Sequence, residues 1–437
     1  MMHKLFVGLV SLWLAWPALA NVKIEEITSP GGIKAWLVEE HSIPFTALEI
    51  RFRGGTSLDA PGKRGATLLM SALLEEGAGT LDSRGFAEAR EALAADISFD
   101  AFDDGVSVSA RFLTENRPEA AALLELALTD PRFDQDAIDR VRAQVASIIR
   151  SDAKDPGEIA GRTFDRLAFG DHPYGSSGNG TIDSIGTLTR DDLVAAKAAA
   201  MARDRVYVAA VGDIDPRELG ALIDDLLGEL PETGAPFPPH VDAALTGGIT
   251  VVDFASPQSV VSFGQSGIKR DDPDFFAAYL LNQALGGSGF AARLMDEVRE
   301  KRGLTYGVST YLAPMDLAET WQGSFASANE KVAEAIEVIR AEWAKAAAEG
   351  LTQAELDAAK TYLTGSYPLR FDGNERIANI LVGMQSEGLP ASYVTDRNAY
   401  IEAVTLDDIK RVAARLMKPG DLRFVVVGRP VGLEAEN

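Results

Sequence analysis

Arg299 and Tyr306 flank a glycine in the run Met295-Asp-Glu-Val-Arg299-Glu-Lys-Arg-Gly303-Leu-Thr-Tyr306-Gly-Val308. A guanidinium and a phenol are poor bases at neutral pH. Both are good hydrogen-bond donors to an oxygen that gains negative charge. The chemistry they could share is carbonyl binding and oxyanion stabilisation. The same residue types serve equally well as a solvated helix arginine and a half-buried strand tyrosine, so the surrounding elements decide. Phe290, Leu294, Met295 and Val298 recur at helical spacing and predict a helix with one apolar face. Gly303 after Arg302 predicts its end, a cation in the last turn followed by a left-handed glycine. Leu304 to Val308 reads as a strand. The turn between helix and strand brings Arg299 and Tyr306 to the same end of the unit. The preceding run Gly286-Gly-Ser-Gly289 either lines a cleft or lets helices approach closely.

Other chemistry finds little support. Beyond His3 the histidines are His41, His172 and His240, none has a second histidine at i+3 or i+4, and there is no cysteine. No zinc-binding spacing is present, and no metal ligands are assigned in this chain. Ser177 and Ser288 lack a full Gly-x-Ser-x-Gly. Gly178-x-Gly180 lacks the third glycine of a dinucleotide loop. Asp103-Asp104-Gly105 sits between two alternating runs, which predicts a turn rather than a calcium loop.

The chain has 437 residues and a net charge of −23. That length implies two or more domains with ample cores. Without a basic stripe, nucleic-acid binding is not expected. Met1–Ala20 reads as a signal peptide: Lys4, an apolar run from Leu5 to Trp16, then Ala18-Leu-Ala20 before Asn21. Cleavage would leave no membrane span, and the run is short for one in any case; an uncleaved anchor is the alternative. An export signal leads to the periplasm or to the extracellular medium, the periplasm being the expectation, and the absence of cysteine makes redox state irrelevant in either.

Alternating runs predict a hairpin over Val22–Glu39 and strands at Thr46–Phe52, Ile97–Ala101, Val106–Phe112 and Val206–Gly212. A helix over Arg64–Glu76 is apolar all round and should be buried. Further helices are predicted over Ser83–Leu93, Pro118–Leu128, Gln135–Ser151 and up to Ala200. The run from Glu232 to His240, rich in proline, reads as a linker. The second half repeats the first. Thr405-Leu-Asp-Asp-Ile409 matches Thr189-Arg-Asp-Asp-Leu193, and Val427-Gly428 matches Val211-Gly212; 405 − 189 and 428 − 212 both give 216. The fold class is therefore α+β: two similar domains, each a sheet covered by helices. The expected boundaries are 1–20 for the signal peptide, 21–232 for the first domain, 233–245 for the linker and 246–437 for the second domain.

The run LGGSGFAARLMDEVREKRGLTYGVSTYL resembles the second-domain signature of the pitrilysin/insulinase-type zinc peptidases, the inverzincins. The resemblance implies that Arg299 and Tyr306 bind the substrate carbonyl, Tyr306 donating to the developing oxyanion and Arg299 holding either a neighbouring carbonyl or Tyr306 itself. It also implies a His-x-x-Glu-His helix in the first domain. Aligned on Gly65 and Gly77, the two ligand positions hold Leu68 and Ala72 and the general-base position holds Ser71; the third ligand would fall near Ser147-Ile148. All four groups are absent. The expectation is a zinc-less subunit, without a cofactor of its own, whose homologous heterodimer partner carries the zinc and hydrolyses peptides. The alternative is an inert structural or peptide-binding relative.

Overall fold

The computed structural model describes residues 23–287, 289, 291–433 and 435. The stretch expected as a signal peptide lies outside the described residues, as do Ser288 and Phe290. Among the described residues no helix is long and apolar enough to cross a membrane.

In the first half, β1 (Glu25–Thr28) and β2 (Lys34–Glu39) form the expected hairpin, with Glu25 opposite Leu37. Then come β3 (Phe45–Arg53), α1 (Ala66–Leu73), a short hairpin of β4 (Gly77–Ala78) and β5 (Leu81–Asp82), and α2 (Ser83–Ala92). β6 (Asp96–Phe102) and β7 (Gly105–Leu113) pair around the Asp103-Asp104 turn. The helices α3 (Arg117–Thr129), α4 (Gln135–Asp152), α5 (Pro156–Phe169), α6 (Ile182–Gly186) and α7 (Arg190–Ala200) precede β8 (Val206–Gly212) and α8 (Pro216–Leu227).

Residues 233–248 form neither helix nor strand. The second half runs β9 (Ile249–Asp253), β10 (Gln258–Ser266), α9 (Phe275–Gly286), β11 (Val308–Pro314), β12 (Glu319–Ala328), α10 (Val332–Glu349), α11 (Gln353–Ser366), α12 (Asn374–Ser386), α13 (Tyr393–Ala403), α14 (Leu406–Leu416) and β13 (Arg423–Gly428).

The two sheets share a five-strand topology, to which the first adds β1 at its edge. The first has the order β1-β2-β8-β3-β7-β6, the second β11-β12-β10-β13-β9. In each, one parallel pair, β2 with β8 or β13 with β9, joins an otherwise antiparallel sheet. The matched landmarks are equivalent elements: Thr189 and Thr405 each close a capping box with the aspartate three residues on. One face of each sheet is packed by its own half's helices, around Phe52, Leu69 and Phe112 in one half and Phe263, Trp321 and Trp343 in the other.

The other faces are covered by exchange. α5 of the first half lies on β10 and β13, where Phe164 and Ala168 pack with Val425 and Val427. α12 of the second half lies on β3 and β8, where Ala378, Leu381 and Val382 pack with Trp36, Ala47 and Val211. Phe164 is 1% exposed, and a Cβ at Gly264 would come within 2.9 Å of its ring, so the glycine makes room for it. A second junction is polar. Tyr174 O–H donates to Asp104, the Asp316 N–H donates to the same carboxylate at 3.2 Å, and Leu317 N–H donates to Tyr174 Oη at 3.2 Å. Arg53 donates to the Asp316 carboxylate at 2.5 Å.

Because each sheet is completed by the other half, the halves should unfold as one unit. Phe164→Ala removes a buried ring at the exchange and is expected to cost about 3–5 kcal/mol. Calorimetry of the variant should show one transition moved to lower temperature; two separated transitions would contradict this reading of the fold.

Candidate functional site

The segment carrying Arg299 departs from the regular helix expected. It is helical from Arg293 and widens over Met295–Glu300 into a π-helix, with Lys301 N–H donating to Asp296 C=O at 2.9 Å, five residues back. Leu294 and Val298 are buried in the second half's core, as their spacing predicts, and the segment packs on α10 and β11. Arg293 ties the start of the segment to α11: its Nε and Nη2 each donate to the Glu355 carboxylate at 2.8 Å. Gly303 takes the left-handed conformation, φ +58°, and its N–H donates to Arg299 C=O at 2.8 Å.

Beyond the glycine the expected strand over Leu304–Val308 is not formed. The ladder starts at Val308, opposite Phe325, and 303–307 is a loop. The physical reason is Thr305, whose hydroxyl turns back onto Gly307 and occupies the local backbone groups that a strand would offer to a neighbour. Tyr306 is therefore no half-buried strand residue: it is 92% exposed. Across the turn the Arg299 guanidinium lies 5.8 Å from its ring centroid, within cation–π range. Arg299 also donates to the neighbouring Glu300 carboxylate. Of the glycine-rich loop, Gly286 serves close packing, since a Cβ there would meet the Thr310 hydroxyl at 2.4 Å. Gly289, φ +122°, lines a cavity of about 540 Å³ with Ala291, Ala358 and Tyr362.

The remaining positions singled out in the sequence lie in the first half. α1 packs against α4. Leu68 and Ala72 are half-buried on α1, and Ser71 is buried with no partner for its hydroxyl among the described residues. On α4, Ser147 and Ile148 are exposed. The histidines are engaged elsewhere. His41 contacts Asp213 at 2.8 Å and Glu39 at 3.2 Å, and these two bonds, Asp213 first, raise its pKa. His172 caps a short turn by accepting from Tyr174 N–H, and burial lowers its pKa. His240 pairs with Glu319 at 3.1 Å.

The chain as a whole superposes on a known structure. It is 30% identical to the crystal structure of a peptidase M16 inactive domain from Pseudomonas fluorescens, covering 95% of this chain and 100% of that one with a TM-score of 0.86. This chain belongs to the peptidase M16 family. Residues 187–363 match the family described as the peptidase M16 inactive domain. Among curated relatives, the "Non-peptidase homolog YmxG" of Helicobacter pylori is 27% identical over 393 residues, 89% of this chain and 90% of that protein. An "Uncharacterized zinc protease" of Streptomyces coelicolor, SCO5738, is also 27% identical, over 404 residues and 86% of its length.

Zinc fits this M16 chain poorly. Leucine and alanine side chains offer no lone pair, and a serine hydroxyl is not among the usual donors of thiolate, imidazole and carboxylate. No step of a reaction is therefore routed through a metal on α1 and α4.

Three carboxyl groups of this M16 chain sit in low-dielectric surroundings. Burial pushes Asp165 on α5 up to about 7, with the charge of Asp103 adding to it. Burial likewise pushes Glu49 on β3 up to about 7, opposed by a hydrogen bond from Ser109 and by Arg51. Asp104 is pushed up to about 6 against the opposing bond from Tyr174. In each case the folded state holds its proton to higher pH than the unfolded chain. The contribution of these three groups to stability therefore falls as pH rises from about 4 to 7, where the native chain holds their protons and the unfolded chain does not. Asp165→Asn should raise the unfolding free energy by on the order of 1 kcal/mol at pH 8 and by nothing measurable near pH 4. Urea melts at the two pH values check the sign; an equal effect at both would show that ionisation is not the cause.

Proposed function

We propose that this chain is the zinc-less subunit of a heterodimeric M16 metallopeptidase. Arg299 and Tyr306 are its contribution to catalysis. A homologous partner chain bearing His-x-x-Glu-His supplies zinc, the attacking water and the general base. A peptide carbonyl polarised on the partner develops negative charge as water adds, and the Tyr306 O–H donates to that oxygen. Arg299 either donates to a neighbouring backbone carbonyl of the peptide or braces the Tyr306 ring. Alone, the chain hydrolyses nothing. The expected export signal puts the pair in the periplasm.

The observation that carries this reading is the pairing of a 92% exposed phenol with a stacked guanidinium on a loop whose backbone is otherwise tied down. A phenol O–H held outward, with a guanidinium beside its ring, suits an acceptor that comes from outside the chain. A second reading, a catalytically inert peptide-binding or structural protein, draws support from the words "inactive domain" and "Non-peptidase homolog" attached to similar proteins. In that case the pair is a remnant.

The two readings separate on one substitution. With a zinc-bearing homologue from the same genome and an unstructured peptide, Tyr306→Phe is expected to lower kcat by about 10²–10³-fold, the usual effect of removing one oxyanion donor. The partner's zinc content should stay unchanged. Equal cleavage by the partner alone, or equal cleavage with Tyr306→Phe, would establish the inert reading instead.

A further inference from the structure

Tyr306 stands at the apex of an arch closed by the residue before it. The Thr305 hydroxyl accepts from the Gly307 N–H at 3.1 Å. It lies 2.8 Å from the Gly307 carbonyl and 2.7 Å from the Ala326 carbonyl on β12, and its single hydrogen serves one of these at a time. Thr305 is thus bonded to Gly307 across the tyrosine and to the neighbouring strand. The flanks are held as well. The Leu304 carbonyl accepts from the Ser327 hydroxyl, which is 2% exposed, and the Gly303 carbonyl accepts from Lys331 Nζ at 3.0 Å. Leu304 N–H donates to Val298 C=O at 2.9 Å, and Val308 enters the ladder. Every residue from 303 to 308 except Tyr306 has a bond that fixes it.

We propose that Thr305 is a positioning residue for Tyr306, holding the phenol where a carbonyl oxygen would meet it. The proposal rests on the catalytic reading above and adds to it a group that does not itself touch substrate. Donors must be placed to within a fraction of an ångström, and a misplacement of about 1 Å costs on the order of 10²-fold in rate. A loop with two of its bonds removed would let the tyrosine wander over more than that.

Thr305→Val keeps the shape and deletes the hydroxyl; Thr305→Ser keeps the hydroxyl. In the complex with the zinc-bearing homologue, Thr305→Val is expected to lower kcat about 10–100-fold with little change in KM, and Thr305→Ser to recover most of the loss. The double variant Thr305→Val/Tyr306→Phe should be no slower than Tyr306→Phe alone, because the hydroxyl acts through the phenol. In the isolated chain, exchange of the Gly307 amide should speed up at least about tenfold in Thr305→Val, reporting the opened arch. Multiplicative losses in the double variant, or unchanged Gly307 exchange, would overturn the positioning role. A full-rate Thr305→Val beside an impaired Tyr306→Phe would overturn it and leave the catalytic reading standing. An unimpaired Tyr306→Phe would remove both.

Discussion

α5 and α12 trade places, and the rest of the molecule depends on that trade. Each sheet has one face packed by its own half and one face packed by a helix from the other. Pulling the halves apart would expose Phe164, Val425 and Val427 on one side and Trp36, Leu381 and Val382 on the other. A fully buried side chain of this size is worth about 1.5–3 kcal/mol, so these six together are comparable with the usual net stability of a domain. The exchange therefore fixes where the α1–α4 pair of the first half lies relative to the Arg299/Tyr306 loop of the second. A mechanism that relied on the halves swinging freely within one chain would have to break both cores at once.

In the first half, α1 carries no imidazole or carboxylate at Leu68, Ser71 and Ala72, the positions where the resemblance places a metal motif. α1 keeps its burial and its packing on α4, α7 and β6. Leu68 and Ala72 present only carbon, so neither side chain needs a hydrogen-bond or metal partner. Ser71 keeps a polar atom in a buried place without a partner among the described residues, a cost of about 1–3 kcal/mol that an alanine would avoid. The helix is thus a sound structural element of the first half's core. Its stability does not speak against the second half retaining a function.

Much of the architecture was legible because its signals are local. The hairpin over residues 25–39, the Asp103-Asp104 turn and the left-handed Gly303 are all set by residues within a few positions of one another. The constant offset likewise foretold two related sheets. Longer-range features were not legible. α5 went unread between Pro156 and Phe169, and nothing in its sequence says that its apolar face belongs to the other half's sheet. β12 was missed because Trp321 and Phe325 share their strand with Gly323 and polar residues. At the site, residue types and spacing identified the Arg299/Tyr306 pair, while the strand expected at Leu304–Val308 yielded to a side-chain bond from Thr305 that periodicity does not encode.

The energetics of the loop bear on whether the pair is idle. An exposed cation–π contact is worth about 0.5–1 kcal/mol, and a ring 92% in solvent contributes almost no burial. Holding the backbone of each loop residue costs about 1–2 kcal/mol in conformational entropy. The bonds from Thr305, Ser327 and Lys331 offset that cost for the loop, yet Tyr306 returns little to the fold for being held at its tip. A turn built only to connect a helix to β11 would be served as well by a small polar residue at that position. The bonds from Thr305, Ser327 and Lys331 are what order the loop in the isolated chain, and under the proposed function the exposed phenol at its tip is the group left for an acceptor from outside.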